Sequence, residues 1–459
     1  MPRTHRKALL LATLAGAVMN VQASTAEYNL LDVYNLALKN DAQLAAAQAG
    51  MKALMEKAPQ TRAALLPSLN LSANTQYNKT NAEVTNASDK DDNYNSHGWG
   101  ATLSQPLFNL GSWFNYGQAK AISTQAEYQF AYEQQHLILR VSEAYFNVLR
   151  AEDSLMTAQA EEKAVKQQLD QARERYNVGL IAETDVLEAQ AAYDNARVAR
   201  ILADNQVSVS YENLRTITNE SINDIGKLKK NMPVIQPTPA VAEEWANNAI
   251  ANNLGLKAAK EGLLASEENI RAKKSGHAPT VDAFASYNYS SSDSNSIKDQ
   301  PYKNGLLTGR GDSTVFGVKF SMPIFSGGAT SSQVREATYQ MEQSQQNFDK
   351  LLRETNAGTR NLFRTVNADV DRVEARKQGI VSSESALEAT QSGYEVGTRN
   401  ITDVLDAQQK LFAAQRDYLN ARYDFIINTL KLKQQAGTLS PADLQDLNGW
   451  ITLADTGSK

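Results

Sequence analysis

Two carboxylates set three residues apart, Asp403 and Asp406, carry the spacing in this sequence that points most directly to chemistry. Residues i and i+3 share one face of a helix, so both present negative charge to the same side. If several chains set such pairs around one axis, the rings of carboxylates select cations and repel anions at close quarters. A plainer role competes. Asp403 follows Thr402 at the start of a helical pattern, and Thr or Asp at such a start accepts free backbone N–H groups while an acid suits the helix dipole. Both roles are compatible at Asp403. Asp406 lies beyond the first turn's strongest need for an acid, so capping accounts for it less well than for Asp403.

Enzymatic chemistry finds no footing. Beyond residue 23 there are three histidines, His97, His136 and His277, in a strand pattern, a long helical pattern and a helix end, and no pair has metal-ligand spacing. A Walker loop, a GxSxG elbow and cysteine are all missing, so the expectation is a protein that is not an enzyme and uses no cofactor. Asn70-Leu71-Ser72 fits a glycosylation sequon but lies inside a strand pattern. With no cysteine, neither a disulfide nor a lipid anchor on an N-terminal cysteine is expected.

The elements that position the two acids are written twice. Residues 176–190 read YNVGLIAETDVLEAQ and residues 394–408 read YEVGTRNITDVLDAQ, nine identities in fifteen at an offset of 218. In each copy a long helical pattern runs into a glycine, Gly179 or Gly397, and a new one starts at Thr184-Asp185 or Thr402-Asp403. Glycine supplies the left-handed residue that ends one helix, and Thr or Asp is expected to cap the next. The result is a helical hairpin made twice.

The duplication covers most of the chain. Arg3, Arg6 and Lys7, an apolar run over residues 8–18 and Val21-Gln22-Ala23 read as a secretory signal peptide over residues 1–23. Its removal takes three positive charges and no acid from a chain of net charge -5, leaving -8, which argues against a nucleic-acid surface. Two structural repeats follow, 24–235 and 236–436, with the proline-rich segment 232–239 between them and a polar tail over 437–459. Each repeat opens on an Ala- and Leu-rich helical pattern, 28–64 and 242–274, pairing Leu44 with Leu256 at an offset of 212. The period then changes to two. Strands are expected at about 67–78, 97–107, 279–290 and 313–324, apolar on one face and polar on the other, with Phe284 breaking the polar side. The polar stretches 79–96 and 290–312 read as exposed loops.

Nothing after residue 24 resembles the roughly 20 apolar residues of a membrane helix. Ten-residue alternating strands suit a tilted membrane-spanning barrel instead. Four strands cannot close one, so several chains must share it. After each strand pair a helical pattern of sixty-odd residues, 113–176 and 329–394, reaches roughly 100 Å. Past the second hairpin Val404, Leu411, Tyr418, Phe425 and Leu432 fall seven apart, as do Ala407, Ala414 and Ala421, matched by Ala189, Ala196 and Ala203 in the first half. So long and polar a helix must pack laterally against copies of itself.

Strand pair, long helix, YxVG and TDVL, then heptads, all duplicated behind a signal peptide, resemble the TolC family of outer-membrane efflux and secretion channels. GYEVGTRNITDVLDA at 393–407 is the stretch most like it, and without an N-terminal cysteine the chain is more similar to the family's type member than to its lipoproteins. The resemblance implies a mixed α/β membrane protein, a homotrimer whose chains each give four strands to a twelve-stranded barrel in outer-membrane lipid, continued by a helical periplasmic tunnel. It implies a passive exit duct for efflux or type I secretion, served by a periplasmic adaptor and an inner-membrane transporter, ABC or proton-driven. Asp403 and Asp406 match two acidic rings at the periplasmic aperture. Thr184, Asp185, Tyr394 and Arg399 match closed-state links, although Tyr394 and Arg399 read as readily as a surface aromatic and a solvated charge. Ile181 stands where the second copy has Arg399, so the hairpins are not equivalent. Gly179-Leu180 and Gly397-Thr398 match the tips where adaptors dock. The alternative is a trimeric coiled-coil anchor without transport, which would fill its axis with Leu and Ile.

Overall fold

The computed structural model describes residues 27–82, 90–292 and 309–452. The expected signal peptide, the centres of both polar loops and the last residues of the tail lie outside them.

The strands form one antiparallel sheet in the order β1 (Ser68–Ala82), β2 (Lys90–Phe108), β4 (Thr280–Ser292), β5 (Arg310–Ser321). Period-two alternation puts Leu69, Leu71, Leu103, Ala285 and Phe316 on one face, since Leu69 pairs with Leu103, Leu103 with Ala285 and Ala285 with Phe316. That face is open: Leu71 is 76% exposed and Phe316 82%. Trp99 and Tyr287 lean together on it, ring centroids 5.1 Å apart. Phe284 on the polar side has a local cause. It pairs with Gly317, and its ring lies where a Cβ of that residue would stand, 3.2 Å away, so the aromatic ring covers the glycine. Backbone pairing continues into the expected loops, to Ala82↔Lys90 on one side and Ser291↔Arg310 on the other. Hairpin hydrogen bonds need no apolar face, so the polar residues that suggested a loop continue as strand.

Two long helical hairpins leave the sheet. α4 (Leu110–Asn177) spans 68 residues and returns as α5 (Glu183–Thr218); α8 (Ala329–Glu395) spans 67 and returns as α9 (Ile401–Gln435). No described helix is long and apolar enough to cross a membrane. Shorter helices pack alongside: α1 (Leu30–Asn40), α2 (Ala42–Met55) and α3 (Lys57–Ala63) on α4, α6 (Ala242–Asn252) on α8, and α7 (Leu254–Lys274) between α4 and α8. The first helical pattern of each repeat therefore breaks at equivalent joints. Asp41 accepts from the backbone N–H of Leu44 at 2.6 Å, and Asn253 from that of Leu256 at 3.0 Å.

Part-way down the long helices a belt closes the core. β3 (Lys227–Leu228) pairs with β6 (Ile451–Thr452), and α10 (Pro441–Asn448) precedes β6, so the tail holds an element of its own. Leu30, Leu137, Tyr145, Phe146, Ile426 and Leu432 are buried there, and the Tyr145 hydroxyl donates to the Gly226 carbonyl at 2.6 Å. Each such apolar side chain contributes about 1.5–3 kcal/mol on burial.

The heptad line of α9 is buried at its ends, Val404 and Phe425 with Leu432, and half-buried at Leu411 and Tyr418 between them. On α5, Leu187, Val198, Leu202 and Val209 stay exposed, Leu202 by 64%.

Candidate functional site at the hairpin tips

Both hairpins end as their glycines dictate. Gly179 (φ 76°) and Gly397 (φ 82°) take the left-handed conformation that glycine adopts without a Cβ penalty. The N–H of Leu180 donates to the Arg175 carbonyl and that of Thr398 to the Gly393 carbonyl, at 2.8 and 2.9 Å. Around these turns Val178, Leu180 and Val396 are 69–75% exposed.

The helix starts correct the expectation from sequence. α9 is capped by Asn400, whose side chain accepts from the Asp403 N–H at 2.8 Å, while the Asn400 N–H donates to Asp403 Oδ2 at 3.4 Å. Asp403 is thus the third residue of a capping box and not the cap; Thr402 is not the cap either. α5 begins after Ala182, with no side-chain cap, so Thr184 and Asp185 do not cap it. The helix cap lies at Ala182, ahead of the Thr-Asp pair, which puts Glu183 as well as Asp185 in the first turn, where acids suit the helix dipole.

Asp406 is exposed and has no partner among the described residues. Asp403 is half-buried, 3.8 Å from the Arg399 guanidinium. The stem of Arg399 lies over Gly393, where a Cβ would stand 2.8 Å from Arg399 Cγ. Within one chain Thr184 and Asp185 form no hydrogen bond or ion pair with Tyr394 or Arg399. Tyr394 instead receives the Arg175 guanidinium over its ring, 4.7 Å from the centroid. Thr402 donates to Glu188 across the hairpins. Beneath these contacts Ile401 and Leu405 of the second hairpin are buried against Leu169, Ala172 and Ala189 of the first. The alanines let the helices approach closely. Arg175, Glu188 and Asn400 went unread in the sequence. Arg175 could have been noticed as a cation one residue before the repeated tyrosine.

A two-faced sheet with open edges, continued by hairpins of roughly 100 Å whose tips carry acids and exposed apolar side chains, defines a class. It is an outer-membrane channel built as a β-barrel with a helical tunnel. The sequence profile described as outer membrane efflux protein matches residues 33–220 and 245–438, and the chain belongs to that family, the TolC family. It is 34% identical to the outer membrane protein TolC of Vibrio cholerae over 98% of this chain and 99% of that one. The corresponding figure for TolC of Escherichia coli is 35%, over 92% and 85%. Among solved structures it is similar to CusC, with a TM-score of 0.77 at 16% identity, covering 90% of this chain and 92% of that one. The protein is an outer-membrane efflux and secretion channel with a periplasmic helical tunnel. It transports and does not catalyse.

Proposed function

We propose that three copies of this chain, each processed after Ala23, share a twelve-stranded barrel and a tunnel that closes at the hairpin tips. The observation that carries this reading is the open sheet: β1 and β5 are each paired on one side only, and the apolar face is bare. An unpaired strand edge in lipid leaves backbone groups unsatisfied, and pairing β1 of one chain with β5 of the next removes both edges. The exposed apolar stripe of α5 supports lateral packing of the helices in the same assembly.

In that trimer Asp403 and Asp406 contribute six carboxylates around one axis, a cation-selective aperture. Thr184, Asp185, Tyr394 and Arg399 form the links between helices that hold the closed state. The Tyr394 hydroxyl has no partner within its own chain among the described residues, which leaves it free for a neighbour. Gly179, Leu180, Gly397 and Thr398, with Val178 and Val396 exposed beside them, receive a periplasmic adaptor, and an inner-membrane transporter supplies the energy.

Single-channel conductance in a planar bilayer, parent against the Asp403→Ala/Asp406→Ala variant, tests the reading. A small cation-selective conductance that loses its selectivity in the variant is the expected result. A correctly assembled trimer that stays silent even with Tyr394→Phe and Arg399→Ser would sink the duct.

A further inference from the structure

The hairpins are near-copies, and the positions where they differ form a directional contact. At the offset of 218, Arg175 corresponds to Gly393, Tyr176 to Tyr394 and Ile181 to Arg399. The first hairpin thus has an arginine before its tyrosine and an apolar residue after its glycine. The second has a glycine before its tyrosine and an arginine after the turn. Each choice has a structural consequence. Arg175 reaches across to cover the Tyr394 ring, Gly393 leaves room for the Arg399 stem, and Ile181 packs into the apolar cluster between the hairpins. No reciprocal contact forms, because Gly393 has no side chain to offer Tyr176, which stays 43% exposed.

We propose that Arg175 is a positioning residue of the aperture: from the end of the first hairpin it holds Tyr394, and so the root of the second hairpin, in the closed arrangement. The contact joins a residue outside the four links assigned above to one of them, and this inference rests on that reading of the tips. A guanidinium suits the task because it lies flat on a ring and cannot lose its charge. The ring is what Arg175 holds, so the Tyr394 hydroxyl stays available to the neighbouring chain. Before the second hairpin swings outward, the cation must leave the ring and Ile401 and Leu405 must leave their cluster. Opening is therefore resisted inside each protomer as well as between protomers. Arg175 also sits in the last turn of α4, where any cation favours the helix C-terminus, and that is the role to be distinguished.

The test is hydrogen exchange of the assembled protein over residues 393–405, in Arg175→Ala, Tyr394→Phe, Tyr394→Leu and the two Arg175→Ala doubles. Loss of a contact of this strength is expected to speed exchange about fivefold. The acceleration should persist in the Tyr394→Phe background and vanish in Tyr394→Leu. Acceleration of equal size in the Tyr394→Leu background, or none in Arg175→Ala, overturns the proposal, the first result showing that Arg175 acts only on its own helix end. Conductance of the same variants gives the functional arm. Arg175→Ala should raise it severalfold, with no further rise when it is added to Tyr394→Leu. Unchanged conductance in Arg175→Ala beside a conducting parent overturns the aperture role alone. A silent parent trimer counts against the duct, and exchange still decides whether Arg175 holds Tyr394.

Discussion

The Tyr423 hydroxyl of α9 donates to Oδ2 of Asp153 on α4 at 2.5 Å, and the adjacent Glu152 takes the Tyr211 hydroxyl of α5 at the same distance. Neighbouring residues on a helix point about 100° apart, so two consecutive carboxylates tie one helix to both return helices at the belt. Burial pushes the Asp153 carboxyl above the usual range, against the opposing pull of the Tyr423 hydrogen bond and of Lys227 and Arg422. Burial raises Glu152 likewise, with Asp224 and Asp153 adding to it and Tyr211 and Lys227 opposing.

A pH dependence follows. A carboxyl raised in the folded state binds a proton there that the unfolded chain has released. Its stabilising share is complete below the ordinary carboxylate pKa and is lost as pH rises through the folded value. Asp153→Asn keeps an acceptor for Tyr423 and removes the titration. Thermal melts of the assembled protein should show the variant more stable than the parent at neutral pH, with the gap closing as pH falls. A gap that widens on acidification would show the ionised pair to be stabilising.

The two acids of the aperture should separate in their effects. Asp403 closes a capping box, so Asp403→Ala costs roughly 1 kcal/mol of helix stability. The Asp406 side chain makes no bond among the described residues, so Asp406→Ala should weaken cation selectivity and leave the melt unchanged. Permeability ratios and melts of the two single variants decide it. Selectivity identical to the parent in both would return these acids to ordinary helix chemistry.

What the sequence made legible was whatever has a period or a forced conformation. The alternation of Leu69, Leu71 and Tyr77, the left-handed Gly179 and Gly397, and the long uninterrupted helices depend on local rules, and the structure has all of them. The caps were misread because Thr-Asp is a strong local signal, while Asn400 wins by geometry at one tip and Ala182 needs no side chain at the other. The belt was invisible, since a two-residue strand such as Ile451–Thr452 has no period and its partner lies more than two hundred residues away. Cross-hairpin contacts such as Arg175 on Tyr394 join residues that only the turning of both hairpins brings together.

Gly393→Ala separates helix stability from gate geometry. In a helix interior alanine is favoured over glycine by about 1 kcal/mol, so the substitution should strengthen the end of α8. Its methyl group would stand 2.8 Å from Arg399 Cγ and 3.3 Å from Thr398 Oγ1, so the arginine stem must shift. The expected variant melts at or above the parent temperature and conducts more, as Arg399→Ser is also expected to do. Conductance equal to the parent would show that the position of Arg399 over its helix end is immaterial to closure.

The equivalent joints at Asp41 and Asn253 reach the same geometry by different chemistry. Asp41 is 4% exposed at its side chain and pairs with Arg140 at 3.1 Å while capping α2. Asn253 caps α7 without charge and donates its amide to the Gln435 carbonyl at 2.9 Å. Asp41→Ala removes the cap and one of the two carboxylates on Arg140 together, so it should cost about 2 kcal/mol. Asp41→Asn imports the solution of the other repeat. It keeps the cap, and Arg140 retains Glu133 at 3.4 Å, so its cost should be about 1 kcal/mol. Denaturant unfolding of the two variants measures the difference. Equal losses would mean that the charge of Asp41, and not its cap, is what the joint requires.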